Sequence, residues 1–174
     1  YQNVLAYEID TDMIKILKGR FDQRLIIKAE DFLKANVDQD LKKEFNVESI
    51  DLIANLPYYI TTPIILKILE ESTIIKNMTI MVQKEVGERL LGKTSTKEYN
   101  SLSVLVQTYM DVSKLINVPR NAFYPEPNVD SAVIILKRKE KLDYEILNEE
   151  HFKKINRLLF SQRRKTIVNN LKNK

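Results

Sequence analysis

The alternation of short apolar strand patterns with helical patterns is the feature that most constrains the fold of this chain. Four runs with strand character lie at residues 4–7, 25–27, 50–54 and 78–82. Stretches with helical periodicity separate them, and such alternation is typical of a mostly parallel sheet covered by helices. Two later strand patterns, at 115–118 and 132–136, flank a proline-rich loop and are expected to pair antiparallel at the sheet edge. The sequence therefore predicts an α/β fold.

Residues that favour helix starts precede several of the helical patterns. Asp10 is predicted to cap the first helix, and Thr62 with Pro63 to cap and begin a helix over Ile64–Glu71. The tail from about Leu147 is also predicted to be helical.

Glycine is scarce, and its positions are informative. A doubly wound sheet that binds a nucleotide needs a glycine-rich turn between its first strand and helix. The chain has three glycines, Gly19, Gly87 and Gly92, and none forms such a turn. We therefore expect the first β-loop-α unit to be missing and the chain to be truncated at both ends, so that this fragment alone is inactive.

Composition excludes several classes of function. The absence of cysteine excludes disulfides, cysteine-rich zinc sites and thiol catalysis, and a single histidine, His151, leaves little room for a histidine metal site. No apolar run approaches the ~20 residues of a membrane span, and the first residues lack the features of a signal peptide. These observations predict a cytoplasmic protein without a bound metal and without a membrane.

Charge is distributed unevenly along the chain. From Lys137 to the end there are twelve Lys or Arg residues and five Asp or Glu, whereas the preceding part has sixteen basic and nineteen acidic residues. A basic tail on a slightly acidic body is typical of a nucleic-acid contact. A solvated helix face would have the same composition, so charge alone leaves both interpretations open.

The stretch Asn55-Leu56-Pro57-Tyr58 follows a predicted buried apolar strand, where open α/β sheets bind their ligands. An adenine N6 amine is a poor nucleophile because its lone pair is delocalised into the ring. The Asn55 oxygen and a backbone carbonyl near Leu56 could accept both amine protons and free that lone pair. Pro57 would stiffen the turn, and Tyr58 offers a face on which a base can stack. Taken singly, each residue also fits an ordinary role as turn former, loop proline or core aromatic.

The same stretch begins a series of blocks that resemble the small-subunit ribosomal RNA adenine N6,N6-dimethyltransferases, the enzymes whose loss gives kasugamycin resistance. In family order, the similar blocks are residues 55–64, 81–90, 101–104, 123–133 and 160–166. The resemblance implies a Rossmann-like, S-adenosylmethionine-dependent methyltransferase sheet. It also implies dimethylation of two adjacent adenines in the 3′-terminal hairpin loop of bacterial 16S rRNA during ribosome biogenesis.

The resemblance implies roles for particular residues. Glu8, followed by Ile9, matches the family's acidic residue that holds the cofactor ribose hydroxyls. Asp31 matches the residue that accepts from the cofactor's adenine amine, and Phe32 lies beside that ring. Asn55 matches the residue that serves both cofactor and target amine. Phe123 matches an aromatic near the target base.

The basic tail gains a role from the same resemblance. Arg163, Arg164 and Lys165 are predicted to lie on a helix and to contact phosphates of the small-subunit RNA. The implied organisation is an incomplete catalytic domain over residues 1–139 and the beginning of a helical RNA-binding domain over 140–174. A monomer is expected.

The sequence departs from the family pattern at one position, and three alternative functions compete with this assignment. Asn100 occupies a position where the family usually has glycine, a change that asparagine's tolerance of positive φ would accommodate. The rivals are a large-subunit adenine methyltransferase of the macrolide-resistance type, a non-catalytic nucleic-acid-binding relative, and a DNA adenine methyltransferase. Leu56, Pro63 and the 129–132 run favour the small-subunit enzyme over the first rival. The intact Asn55–Tyr58 motif argues against the second, and Leu56 argues against the third.

Overall fold

The structure is a computed structural model that describes residues 3–162 and 164–172. Six strands and seven α-helices alternate along this part of the chain. In chain order they are β1 (Val4–Tyr7), α1 (Thr11–Arg20), β2 (Leu25–Lys28), α2 (Val37–Phe45), β3 (Ile50–Asn55), α3 (Thr61–Glu71), β4 (Ile75–Gln83), α4 (Lys84–Leu90), α5 (Ser101–Tyr109), β5 (Met110–Val118), β6 (Ser131–Arg138), α6 (Glu149–Leu159) and α7 (Ile167–Lys172). The predicted α/β class is confirmed, and each predicted strand is present.

The chain divides into two compact units. Unit 1 comprises residues 1–50 and 59–76, and unit 2 comprises residues 51–58 and 77–174. The predicted domain boundary between residues 139 and 140 stays a prediction.

Unit 1 contains the parallel pair β1–β2, in which Val4 lies opposite Leu25 and Tyr7 opposite Lys28. Helix α1 starts as predicted, because Asp10 Oδ1 accepts hydrogen bonds from the backbone N–H groups of Asp12 and Met13, at 2.8 and 3.0 Å. The parallel pairing brings the carboxyl ends of both strands to the same edge.

Helix α3 begins at Thr61, three residues before the predicted start at Ile64. Its N-cap is Ile60, whose carbonyl accepts from Ile64 N at 3.0 Å, so Thr62 is not the capping residue. Pro63 lies inside the first turn, where backbone N–H groups have no partner within the helix. The missing proline N–H therefore breaks no helical hydrogen bond.

Unit 2 is built on a sheet with the strand order β3–β4–β6–β5. Strand β6 pairs antiparallel with β4 on one side and with β5 on the other, which confirms the predicted antiparallel pairing of the two late strands. All three strands are longer than the sequence patterns indicated.

One face of this sheet forms the core of unit 2. On β4, Met78, Ile80 and Val82 are fully buried, and the register places them opposite Leu136, Ile134 and Ala132 of β6. Because side chains alternate along a strand, these cross-strand pairs all lie on one face.

Strand β3 differs from its prediction as a buried apolar strand. Asp51, Ile53 and Asn55 are exposed, and they alternate with half-buried residues. This alternation shows that only one face of β3 is covered, as in sheets that have one solvated face.

Asn100 needs no positive φ, contrary to the explanation expected from the sequence. Its backbone is extended, with φ −156°, and it is the N-cap of α5. Its Oδ1 accepts from Leu102 N at 2.8 Å and from Ser103 N at 3.3 Å, and Ser103 Oγ accepts from Asn100 N at 3.1 Å. This reciprocal pair is a capping box, which gives asparagine a direct function at this position.

None of the helices among the described residues is both long and apolar enough to cross a membrane.

The surroundings of Gly92, between α4 and α5, and of Gly19, in α1, predict opposite changes in stability when each glycine is replaced by alanine. A Cβ atom at Gly92 would lie 2.8 Å from the carbonyl group of Glu98 and from Ser103 Oγ, whereas a Cβ at Gly19 in α1 would meet nothing within 4 Å. We expect Gly92→Ala to lower the free energy of unfolding by about 1–3 kcal/mol. Gly19→Ala should raise it by about 0.5–1 kcal/mol, because alanine favours helix.

Urea titrations followed by circular dichroism would measure both changes against the wild type. Equal stability of Gly92→Ala and the wild type would contradict the tight packing of this connection.

Candidate active site

At the carboxyl end of β1, the Glu8 side chain is held by its own backbone. Glu8 N donates to Lys28 O at 3.0 Å, which extends the β1–β2 pairing by one residue. Its Oε1 accepts from Ile9 N at 2.8 Å and from Asp10 N at 2.9 Å. These bonds fix the carboxylate, and Oε2 has no hydrogen-bond partner among the described residues of unit 1.

Asp31 lies three residues beyond the carboxyl end of the neighbouring strand β2. Its Oδ1 accepts from Leu33 N at 2.9 Å, and its backbone carbonyl accepts from Lys34 N and Ala35 N. Asp31 therefore builds a tight turn; it is not the cap of a helix, since α2 starts at Val37 and is capped by Asn36. Its second carboxylate oxygen is unpartnered within the described part of unit 1.

A polar cluster at the carboxyl ends of β1 and β2 links both strands to α2. Tyr7 Oη donates to Asp40 Oδ2 at 3.0 Å, and Lys28 Nζ lies 3.1 Å from Asp40 Oδ1 and 3.4 Å from Glu44 Oε1. Burial and the hydrogen bond to Asp40 raise the pKa of Tyr7 well above its usual range. The hydrogen bond to Asp40 also raises the pKa of Lys28. The cluster holds the ends of the strands from which Glu8 and Asp31 emerge.

The aromatic ring of Phe32 packs edge-on against Tyr7, with 5.3 Å between ring centroids and an interplanar angle of 90°. Ile9 is 65% exposed. The sequence-predicted cofactor residues of unit 1 thus lie together along one edge of β1–β2.

These groups fit a nucleoside cofactor of the kind that the resemblance implies. Two carboxylates each keep one oxygen available to accept, which suits ribose hydroxyls and an exocyclic amine. An aromatic ring and an exposed isoleucine beside them suit the flat face of a purine. Unit 1 therefore offers acceptor oxygens and apolar side chains that fit the adenosine end of S-adenosylmethionine.

In unit 2, the segment Asn55–Tyr58 follows the end of β3 and is anchored at two residues, Leu56 and Tyr58. Leu56 is buried, and its N–H donates to Met81 O of β4 at 3.2 Å. Tyr58 Oη and Ser131 Oγ are 2.8 Å apart, and Ser131 is fully buried at the start of β6. Asn55 and Pro57, which alternate with these anchors, are exposed.

Asp130, the residue before Ser131, forms hydrogen bonds with two further segments of unit 2. Asp130 O accepts from Lys84 N at 2.9 Å at the start of α4, and Asp130 Oδ1 accepts from Arg120 N at 3.0 Å. Arg120 begins a short 3-10 helix, Arg120–Ala122, that leads directly to Phe123. Phe123 is half-buried, and its N–H donates to Arg120 O at 3.2 Å.

An open cleft of about 570 Å³ lies at this edge of unit 2. Its lining comes from the carboxyl end of β4, the start of α4 and the loop before β6. The lining residues are Gln83, Lys84, Glu85, Glu88, Arg120, Asn128, Val129 and Asp130.

Arg164 and Lys165, two of the predicted phosphate-binding residues, do not lie on a helix, which corrects the sequence-based prediction for them. Arg164 and Lys165 are exposed in the turn between α6 and α7, and Arg163 lies outside the described residues. Asn170 Nδ2 of α7 donates to Leu159 O at 2.8 Å and so supplies a partner for a carbonyl at the end of α6.

Sequence reasoning missed Ser131, Asp130 and the Tyr7–Asp40–Lys28 cluster. Ser131 was part of a block used for the resemblance, but its partner Tyr58 is 73 residues away. No local pattern signals such a contact. Among the described residues there is no group of three or more His, Asp or Glu that could hold a metal ion.

Comparison with known proteins gives one consistent result. The family described as ribosomal RNA adenine dimethylase matches residues 1–174. Ribosomal RNA small subunit methyltransferase A of Bacillus cytotoxicus is 44% identical over 176 residues, and that of Anoxybacillus flavithermus is 45% identical over 175 residues. Each alignment covers 99% of this chain, but the chain spans only about 60% of the length of these relatives.

Two solved structures are similar over nearly the whole chain. A dimethyladenosine transferase from Plasmodium falciparum has a TM-score of 0.80 and 30% identity, covering 98% of this chain and 59% of that one. The 23S rRNA methyltransferase ErmE has a TM-score of 0.74 and 26% identity, covering 99% of this chain and 67% of that one. These likenesses confirm the predicted Rossmann-like fold class.

The polar cluster of unit 1 predicts a change in stability at alkaline pH. In the unfolded chain Tyr7 ionises near pH ~10, and in the folded protein its pKa is higher. The stabilisation from neutral Tyr7 is therefore complete below about pH 10 and is lost as the pH rises above it. We expect Tyr7→Phe to be less stable than the wild type at neutral pH. The difference in the free energy of unfolding between the two should narrow above about pH 10.

Urea titrations between neutral and strongly alkaline pH would test this, with Tyr144→Phe, an exposed tyrosine, as the matched control. If the difference in unfolding free energy between Tyr7→Phe and the wild type stays constant across this range, the link between Tyr7 ionisation and stability is disproved.

Proposed function

The chain belongs to the ribosomal RNA adenine dimethylase family, and from that premise we propose the reaction that it serves. The protein transfers methyl groups from S-adenosylmethionine to the N6 amines of two adjacent adenines in the 3′-terminal hairpin loop of 16S rRNA, during ribosome biogenesis. The observation that carries this proposal is the anchored segment Asn55–Tyr58, which presents an exposed amide at the end of β3.

Asn55 and the Leu56 carbonyl act on the target amine. Both are acceptors, and two hydrogen bonds from the amine favour a pyramidal nitrogen whose lone pair is free to attack. The anchoring of Leu56 to Met81 O supports this role, because it limits the movement of the acceptors. A strong general base is unnecessary, since the product ammonium is acidic enough to lose its proton to water.

Tyr58 and Phe123 hold the extruded base between aromatic faces. Base stacking on an aromatic side chain contributes about 1–3 kcal/mol per base. Among the described residues neither ring pairs with another aromatic ring, and both side chains are half-buried. Recognition of a flipped base in an RNA loop agrees with the way RNA is usually read.

Glu8, Asp31 and Phe32 hold the cofactor. The bound cofactor supplies an electrophilic methyl group on a sulfonium. Glu8 accepts through Oε2 from the ribose hydroxyls, since Oε1 is engaged by two backbone N–H groups. Asp31 accepts from the adenine amine, with Phe32 and Ile9 beside the ring.

The basic tail contacts the RNA backbone. Arg164 and Lys165 are exposed, with no acidic residue after His151, so they suit phosphate contacts that give affinity without sequence choice. Arg163 is included in this proposal from the sequence alone. The cytoplasmic location and the monomeric state stay predictions.

Substitution of Asn55 gives the main test. In the full-length protein, Asn55→Ala should lower the rate of methyl transfer to small subunits lacking the modification by about 100-fold or more, because one of the two acceptors is lost. RNA affinity should stay near that of the wild type. Labelled methyl transfer and filter binding would measure these two quantities.

The matched control is Asn117→Ala, an exposed asparagine on β5 that the proposed reaction does not use. Transfer at the wild-type rate by Asn55→Ala would disprove the role of its amide. Transfer to large subunits in place of small ones would favour the macrolide-resistance type. RNA binding without transfer to either subunit would favour a non-catalytic relative.

Cofactor binding has a separate test that needs no RNA. Glu8→Gln keeps an oxygen for the two backbone N–H groups but replaces Oε2 by an amide that cannot accept. We expect the affinity for S-adenosylhomocysteine to fall about 10- to 100-fold in the full-length protein, measured by calorimetry. The control is Glu48→Gln, an exposed glutamate. Unchanged affinity in Glu8→Gln would show that the cofactor binds elsewhere.

A further inference from the structure

The adjoining residues Asp130 and Ser131 bond three separate segments at the edge of unit 2. Ser131 Oγ meets Tyr58 Oη at 2.8 Å, Asp130 O accepts from Lys84 N at 2.9 Å, and Asp130 Oδ1 accepts from Arg120 N at 3.0 Å. The segments that carry the two aromatic side chains of the proposed site are therefore both attached to one dipeptide.

The dipeptide itself is held rigidly. Ser131 is the first residue of β6 and lies opposite Gln83 of β4 on one side and Val118 of β5 on the other. It is fully buried, so its hydroxyl has no competing water. A buried hydroxyl left without a partner is unfavourable, which favours the bond to Tyr58.

From this arrangement we propose that Asp130 and Ser131 are positioning residues that set the two aromatic faces for the target base. Ser131 fixes the ring of Tyr58 through its hydroxyl. Asp130 fixes the 3-10 turn that ends at Phe123 through the backbone of Arg120. This inference rests on the proposed function, because it assumes that the two rings stack on the adenine.

The physical reason for such residues lies in the chemistry of stacking. A ring on a flexible loop rotates about its side-chain torsions, and an extruded base must then order both partners on binding. A ring whose hydroxyl is already bonded loses less conformational freedom when the base arrives. The benefit appears in alignment of the amine for transfer more than in RNA affinity, which the phosphate contacts dominate.

A double-mutant cycle tests the Ser131 half in the full-length protein. Ser131→Ala and Tyr58→Phe each remove one hydroxyl, and Tyr58→Phe keeps the stacking ring. We expect each to lower the single-turnover transfer rate about three- to tenfold, with RNA affinity unchanged. The double variant should be no slower than either single variant, because one shared bond is lost in all three. Ser113→Ala, an exposed serine on β5, is the control.

A spectroscopic signature accompanies the rates. With 2-aminopurine in place of the target adenine in a hairpin RNA, stacking on a fixed ring quenches the fluorescence of the extruded base. Ser131→Ala and Tyr58→Phe should weaken this quenching to the same extent, whereas a general loss of stability would not change it at temperatures where both variants are folded.

The positioning role of Asp130 is tested by comparing two substitutions, one of which keeps the acceptor oxygen. Asp130→Ala removes the acceptor for Arg120 N, whereas Asp130→Asn keeps an oxygen in the same position. We expect slower transfer for Asp130→Ala and near wild-type transfer for Asp130→Asn. An equal loss in both would overturn a positioning role through this hydrogen bond.

The remaining outcomes separate the two proposals. Multiplicative losses in the double variant, or wild-type rates in both single variants, would overturn the Ser131 inference and leave the proposed function intact. If the wild type transferred no methyl group to either ribosomal subunit, the proposed function would fail, and this inference with it.

Discussion

The antiparallel register between β4 and β6 is the constraint on which unit 2 depends. It places the buried residues Met78, Ile80 and Val82 opposite buried residues of β6, so that one face of the sheet becomes core. A slip of one residue would turn every one of these side chains to the opposite face. The same register puts Ser131 opposite Gln83. The apolar core therefore determines where the polar edge of the candidate site is.

The polar groups within each unit are arranged by one principle. Half-buried polar atoms are costly unless they are hydrogen-bonded. In unit 2 the hydroxyls of Tyr58 and Ser131 satisfy each other, and in unit 1 Tyr7 and Lys28 share the carboxylate of Asp40. Each satisfied group anchors a neighbouring segment. The side-chain oxygen of Asn55 stays available at an exposed position directly before the anchored Leu56.

The chemistry proposed for the site is suited to neutral acceptors. Activation of an aromatic amine needs oriented oxygen atoms near the nitrogen and little acid–base strength, which agrees with an amide and a backbone carbonyl in place of a charged base. The charged groups have other tasks: carboxylates of unit 1 are proposed to hold the cofactor, and the basic tail to hold phosphates.

The sequence by itself determined the strand and helix alternation, the Asp10 cap, the antiparallel late strands and the position of Asn55 at a strand end, because these depend on periodicity and on contacts a few residues apart. Only the tertiary structure decided that one face of β3 is exposed, that Arg164 and Lys165 lie in a turn, and that Tyr58 meets Ser131. These features depend on which face of the sheet is covered, on the hydrogen bond from α7 to the end of α6, and on a bond across 73 residues. Such distant pairings form only when whole faces are buried together, so no local pattern contains them.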